Sequence, residues 1–369
     1  MNPQAEFCPN ETCPDRGKIG QGNIVIHSQK EQRCKCTRCG KTFSVRKGTL
    51  LYGLKHNAEM VMIVVTLLAF GCPVQAIVMA FGLDERTARS WQLKAGQHCQ
   101  TVHEQVIGKC QLDLGQVQAD EIKVKTQKGT LWMAMAMMVS TRLWLGGVVS
   151  AKRDKHLIRA LAGKIRAVAL CRTLLLSVDG LVSYVDAFQK AFRAALPTGQ
   201  LGRPHLIAWP GIHIVQVVKR HTAEGLSIER RIVQGDPQTV ANCLNVTQGG
   251  GVINTAFIER LNATFRQCLA CLGRRSRSLA RKVQTVEAGM FLVGCVYNFC
   301  TDHDSLKLPL WITECRCHWV QRTPAMATGL TDHRWSVNEL LTFKVPPTPF
   351  VPPKRRGRPP KRVLQEAIA

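Results

Sequence analysis

Ile253-Asn-Thr-Ala-Phe-Ile-Glu-Arg-Leu-Asn-Ala-Thr-Phe-Arg266, followed by the basic segment Gly273-Arg-Arg-Ser-Arg277, is the stretch on which the reading of this chain turns. Glu259, Asn262 and Arg266 fall at helical i, i+3, i+7 spacing and so share one face of a helix expected over Thr255 to Leu272. Ile258, Leu261, Phe265 and Leu269 fall on another face and can pack inward. A carboxylate set between an amide and a guanidinium on a basic helix suits a divalent metal held beside a phosphate chain.

The chain supplies a background against which few carboxylates stand out. Its 369 residues are 45% hydrophobic, enough for a sizeable core and more than one domain. Lys and Arg number 50 against 25 Asp and Glu, a formal charge of +25. That excess favours polyanions, with nucleic acid first and an anionic membrane surface second. The opening residues, Met1-Asn-Pro-Gln-Ala-Glu-Phe-Cys8, have neither the basic start nor the apolar core of a secretory signal. We therefore expect a reducing, cytoplasmic setting in which clustered cysteines bind metal and scattered ones fill core.

Residues 1–50 read as a small DNA-binding module of zinc-ribbon type. Cys8-Pro-Asn-Glu-Thr-Cys13 and Cys36-Thr-Arg-Cys39 form two knuckles around a strand-like segment, Asn23 to Ser28. Cys8, Cys13, Cys36 and Cys39 suit a structural tetrahedral Zn²⁺, without which so short a stretch would not hold together. Cys34 lies too close to Cys36 for both to bind one ion and reads as packing. The alternative is a set of reduced structural cysteines.

Residues 51–115 read as one module in which Asn57 to Gly96 follow the pattern helix, helix, turn, helix. Pro73 suits the start of the second helix, Gly82 breaks it, and Asp84 caps the third. Arg86, Thr87, Arg89, Ser90 and Lys94 then fall on exposed positions, the layout of a DNA-binding helix-turn-helix. An ordinary three-helix packing unit is the alternative. The charge-free run from Met60 to Leu83 is long enough to span a membrane. Gly71-Cys-Pro73 interrupts it, so two short buried helices fit better and no membrane is expected.

Residues 116–305 read as one α/β domain. Val117 to Val124, Thr130 to Val139 and Arg142 to Val149 alternate as strands, and the methionines among them read as core. Lys155 to Ala169 suits a helix. Leu174-Leu-Leu-Ser-Val-Asp179 is a buried, parallel-type strand, and Ile212 to Val218 a fifth. Three strands, helix, strand, helix, strand and a late acidic helix is the order of an RNase H-like fold. In such a sheet the first and fourth strands are neighbours, so Asp120 and Asp179 would meet at their ends and Glu259 could join them. Three such carboxylates could hold two Mg²⁺ (or Mn²⁺) ions about 4 Å apart for phosphoryl transfer on nucleic acid.

Residues 306–344 are a C-terminal extension, and 345–369 a Pro-rich linker with a basic tail. Arg356-Gly-Arg-Pro359 offers a flat backbone with two guanidinium arms, an AT-hook-like element suited to the minor groove of A·T-rich DNA. A solvated tail or a nuclear-import signal is the alternative.

Gln118-Ala-Asp-Glu121, Leu176-Ser-Val-Asp-Gly180 with Tyr184, Gln216-Val-Val-Lys219 and Asn254 to Arg266 together resemble DDE transposases of the insertion-sequence-one type. Met290 to Phe299 and Thr323 to Asp332 match relatives of that group. The resemblance covers nearly the whole chain. It favours Asp120 over its neighbour Glu121, since only one of the two can face the sheet edge. It implies that Asp120, Asp179 and Glu259 are the metal-binding catalytic triad, with Arg260, Asn262 and Arg266 orienting phosphates or metal ligands. It further implies terminal inverted repeats and target DNA as partners, a homo-oligomer on DNA, and a bacterial enzyme that cleaves and joins DNA strands. The Cys268-Leu-Ala-Cys271 pair reads as core thiols. A DNA-binding regulator with an inactive RNase H-like domain, and a related nuclease, are the alternative readings.

Overall fold

A computed structural model describes residues 1–127, 129–196, 204–222, 225–274, 278–313 and 316–352. Arg356, Gly357, Arg358 and Pro359 of the basic tail, and the segment 275–277, lie outside the described residues. The chain divides into two compact units, one of Met1–Gly48 with 344–352 and the other Thr49–Phe343.

In the smaller unit, β1 (Ile24–Ser28), β2 (Arg33–Cys36) and β3 (Thr42–Ser44) form an antiparallel sheet in that order. Little apolar surface is available to it. Ile24, Cys34 and Phe43 are buried among Cys8, Cys13 and Cys36, and among the described residues only half-buried Cys39 and Val45 join this cluster. Lys344 returns to this unit and ion-pairs with Glu6.

The larger unit begins with α1 (Ala58–Ala69), α2 (Val74–Phe81) and α3 (Glu85–Val106). The punctuation follows local chemistry. The Asn57 side chain accepts from the Glu59 amide at 3.0 Å and the Asp84 carboxylate from the Arg86 amide at 2.8 Å, each satisfying a helix-end donor. Gly82, at φ +62°, supplies the left-handed residue that ends α2. Two expectations need correction. First, α2 buries only Ile77 and leaves Met79 85% exposed, so only α1 is the buried apolar helix expected of this run. Second, α3 runs well past Gly96, because Ala88, Trp91, Ala95, Cys99 and Val102 continue one buried face.

The sheet comprises β4 (Gln116–Thr126), β5 (Gly129–Met138), β6 (Trp144–Ser150), β7 (Leu174–Asp179), β10 (Ile212–Thr222) and β11 (Gly225–Gln234), with the short pair β8 (Arg193–Ala195) and β9 (Leu206–Ala208) outside it. The helices α4 (Lys155–Val168), α5 (Val182–Ala191), α6 (Pro237–Gln248), α7 (Ala256–Cys268) and α8 (Val283–Cys295) fall between and after these strands. A hairpin of β12 (Leu308–Thr313) and β13 (Arg316–Val320) and two short helices, α9 (Pro324–Ala327) and α10 (Val337–Thr342), complete the unit. The strand order is β11-β10-β7-β4-β5-β6, with β4–β5–β6 antiparallel, β7 parallel to both β4 and β10, and β11 antiparallel at the edge.

The apolar content of each strand matches its place. β7, flanked by strands on both sides, is buried from Leu174 to Val178, whereas β11 at the edge is exposed along nearly its whole length. Met133, Met135 and Met137 are buried in β5, as core. α3 packs against α8 so closely that a Cβ at Gly96 would overlap the backbone of Ala288. Among the described residues one stretch, Val283–Cys300, is long and apolar enough to cross a membrane, and 67% of it is buried inside this unit.

Candidate active site and cysteine cluster

The β4–β7 pairing ends at Gln118↔Ser177. Beyond it the strands separate, which leaves Asp120 and Asp179 at the mouth of the gap between two parallel strands. The β10 register sets Val217 beside Asp179 and therefore carries Lys219 just past it. α7 crosses this end of the sheet. A cavity of about 720 Å³ opens there, lined by Asp120, Asp179, Glu259, Asn262 and Arg266 together with Arg153, Lys219, Thr255 and Arg274. The structure thus brings Asp120, Asp179 and Glu259 to one cavity from three separate elements.

Gln118 is one residue that ties the helix to the sheet. The Gln118 side chain donates to the Asn254 carbonyl at 2.8 Å and accepts from the Ile258 amide at 3.0 Å. The second bond satisfies a first-turn donor that α7 cannot satisfy itself. Ile258, Leu261, Phe265 and Leu269 are buried, which turns Glu259, Asn262 and Arg266 into the cavity.

Each carboxylate has its own surroundings. Asp120 accepts from the Asn262 side-chain amide at 2.7 Å and from the Glu121 amide at 2.8 Å. Burial pushes its carboxyl up to about 7, with help from the charges of Glu121, Asp179 and Glu259 and against the pull of the Glu121 amide. Asp179 accepts from the Leu181 amide at 3.0 Å and from Arg153 at 3.2 Å. Glu259 accepts from Lys219 at 2.5 Å and from the Thr255 hydroxyl at 2.7 Å. Burial raises the Glu259 carboxyl, but these two donors outweigh it and hold it below the usual range.

Glu121 has a place that sequence reasoning did not give it. It points away from α7, is buried, ion-pairs with Arg153 and accepts from the Tyr184 hydroxyl at 2.6 Å. One oxygen from each of Asp120, Glu121 and Asp179 can still lie within 4.8 Å of the others. Hard oxygen donors in such a group, with one carboxyl pushed toward neutrality by burial and by the neighbouring charges, fit a divalent cation. Arg153 and Lys219 were also missed. Lys219 stood in a quoted motif, but its strand position could not be converted to a contact without the register.

Arg260 does not line this cavity. It lies on the far flank of α7, in a cavity of about 140 Å³ with Arg142, Phe257, Tyr297 and His303. In α3, Arg86, Arg89, Ser90 and Lys94 are exposed, and Thr87 is half-buried. Arg89 is held by Glu85 at 2.6 Å. Cys268 and Cys271 are half-buried, and burial pushes both thiols up.

In the smaller unit, the sulfurs of Cys8, Cys13, Cys36 and Cys39 all lie within 4.8 Å of one another. Cys8–Cys39 is 3.6 Å and Cys13–Cys36 is 3.9 Å. Zn–S bonds near 2.3 Å in a tetrahedron place sulfurs about 3.8 Å apart, so this set fits zinc. The knuckles arise from tight turns, with the Gly17 amide donating to the Cys8 carbonyl at 3.0 Å and the Gly40 amide to the Cys36 carbonyl at 2.8 Å. Burial pushes the Cys8 thiol up. At Cys39 burial acts upward too, but the Lys41 amide, the Asn10 side chain and its neighbouring thiols bring it down to about 7. Cys34 is buried on β2 outside the quartet.

The chain matches no protein-family model and no curated protein. Eleven chains of solved structure match it. Among them is the cryo-EM structure of a piggyBac transposase synaptic complex with hairpin DNA, at 10% identity and a TM-score of 0.32. That match covers 68% of this chain and 70% of the other.

Proposed function

We propose that this chain is a DNA transposase of the insertion-sequence-one type, which cleaves donor DNA at the ends of its element and joins them to target DNA. The observation that supports the reading is that Asp120, Asp179 and Glu259, distant in sequence, all line one cavity in a chain of net charge +25, although the carboxylates within 4.8 Å of one another are Asp120, Glu121 and Asp179. The sheet order supports an RNase H-like catalytic domain, with β4, β5, β6, β7 and β10 as its five strands and β11 added at the edge. The helices α1 to α3 and the cysteine module fit the helix-turn-helix and zinc ribbon expected to hold terminal inverted repeats.

Asp120, Asp179 and Glu259 would hold Mg²⁺ (or Mn²⁺), which when bound activates the attacking oxygen and stabilises the leaving one. The chain's own residues do the rest. Asn262 fixes the orientation of the Asp120 carboxylate, and Lys219 and Thr255 do so for Glu259. Arg266 and Arg274 carry positive charge at the cavity wall, suited to a phosphodiester. Arg153 joins Asp179 to Glu121 beneath it.

The test is an in vitro reaction with the DNA flanking the gene, Mg²⁺ or Mn²⁺, and either the unaltered protein or Glu259→Gln. The unaltered protein should give strand-transfer products, and Glu259→Gln should bind the ends but neither cut nor join them. Cleavage without joining would identify a nuclease. Full function in Glu259→Gln would identify a regulator.

A further inference from the structure

We propose that the cavity on the far flank of α7 is a phosphate-binding site, which on the reading above holds a backbone phosphate of DNA away from the three carboxylates. Met137, Arg142, Phe257, Arg260, Leu261, Thr264, Tyr297, His303 and Ser305 line it, within about 140 Å³. That is room on the order of four or five water molecules, a fit for a tetrahedral oxyanion.

The lining is cationic. The Arg260 guanidinium has no hydrogen-bond or ion-pair partner among the described residues, nor has the Tyr297 hydroxyl. Arg142 is held over the Phe257 ring, 4.0 Å from its centroid, and donates to the Val139 carbonyl. A guanidinium clamped between a ring and a carbonyl keeps its remaining N–H donors aimed in a fixed direction, as recognition of an oxyanion requires. Arg142 also sits at φ +60°, a left-handed backbone that disfavours a long side chain and would suit glycine. Keeping arginine there is costly to the turn and makes sense where the guanidinium has work to do.

The surrounding charges agree. Burial lowers the Arg142 guanidinium, against the pull of Tyr297 and with a push from Arg260, and lowers the His303 imidazole, with pushes from Arg142 and Arg260. Of the neighbouring carboxylates, Asp302 is taken up by Arg334 at 2.6 Å, leaving Asp304 as the weaker opposing influence on His303. Ser305 bonds the His303 ring at 2.9 Å and fixes its orientation. Phe257, Arg260, Leu261 and Thr264 lie on one side of α7, while Glu259, Asn262, Ala263 and Arg266 lie on the other. One helix would then serve two phosphates.

The experiment uses the full chain and two variants, Arg142→Gly and Arg260→Gln. Arg142→Gly relieves the backbone conformation and should melt no lower than the unaltered protein, so lost binding cannot be laid to unfolding. Binding of inorganic phosphate, followed by ³¹P NMR, should weaken tenfold or more in both variants. The slope of log affinity for duplex DNA against log salt should become shallower by about 0.9 for each phosphate contact removed. Unchanged phosphate binding together with an unchanged salt slope in both variants would overturn the site and leave the transposase reading standing. Variant-sensitive phosphate binding in a protein that binds no DNA would keep the site, as one for free phosphate, and sink the transposase reading.

Discussion

The cysteine cluster and the carboxylate cluster are built in opposite ways. The four sulfurs come from two knuckles close in sequence, three of the cysteines are fully buried, and the four side chains lie close enough to supply all the ligands of a tetrahedral ion. The carboxylates come from β4, β7 and α7 and face a cavity of about 720 Å³. A ligand set closed by its own chain leaves no position for a substrate and can only support structure, whereas an open one leaves coordination positions for reacting groups. On the proposed reading, a zinc ion in the smaller unit would hold its fold together, whereas a divalent ion in the larger one, whose core is independent of the carboxylates, would serve chemistry.

Removing metal is the sharpest way to break that comparison. Chelating zinc from the full chain, or replacing Cys36 with Ser, should unfold the smaller unit, because structural zinc in small modules is worth about 10–16 kcal/mol. The dispersed NMR signals of residues 1–48 should collapse while those of the larger unit persist. Cys34→Ala should keep one zinc per chain. A zinc-free protein with an ordered N-terminal unit would end the structural-metal reading.

The carboxylates should behave in the reverse sense. Asp179→Asn and Glu259→Gln should each lower strand transfer by about 10³-fold, the loss of several kcal/mol of metal-assisted stabilisation. Neither should lower the melting temperature of the larger unit, because both side chains are more than a third exposed and remove no packing. A variant that melts early and is inactive for that reason would erase the distinction.

What could be read in the sequence follows from the same contrast. The cysteine quartet was legible because its spacing is local, and so was the inward face of α7, with Ile258, Leu261 and Phe265 at helical intervals. β7 was legible because a strand buried on both faces is continuously apolar. β11 was not: it is an edge strand exposed along its length, with Glu229, Arg230 and Arg231 breaking any alternation. Arg153, Lys219 and the Glu121–Tyr184 bond were hidden for another reason. Each depends on which strand lies beside which and in what register, information that exists only once the sheet is assembled. Arg260 shows the limit of adjacency, since it neighbours Glu259 in sequence yet faces the opposite flank of the helix.

A smaller effect tests how the open site is held. Gln118→Ala removes the side-chain bonds that join β4 to Asn254 and to the first turn of α7, and leaves the buried Ile258 amide without its acceptor. The cost should be about 1–3 kcal/mol, or a fall of a few degrees in the melting temperature of the larger unit. Activity should fall too, since Glu259 begins the same turn. Full activity at a reduced melting temperature would show that the apolar face of α7 and its Asn262–Asp120 and Glu259–Lys219 contacts position the helix without Gln118.

The smallest expected effect is a dependence on pH that runs in opposite directions at the two clusters. Asp120 is pushed up to about 7 in the folded chain from an ordinary value near 3.8. Between those values the folded state binds more protons than the unfolded one, so the metal-free larger unit should lose stability as pH rises from about 4 to about 7. At a partly exposed site the screened effect is on the order of 1–2 kcal/mol. Asp120→Asn should remove this part of the profile, because an amide does not titrate, and it should be tolerated, because Asn262 can turn its amide and present its unpartnered Oδ1 to the new side chain. Added Mg²⁺ should remove it as well, by favouring the ionised carboxylate. The zinc module should do the reverse, since its thiolates take up protons as pH falls and release the metal. Thermal melts of the chain and of Asp120→Asn from pH 4 to pH 8, with and without Mg²⁺, give the comparison directly. Superimposable metal-free profiles would mean that Asp120 is already ionised without metal and that its neighbours do not strain it.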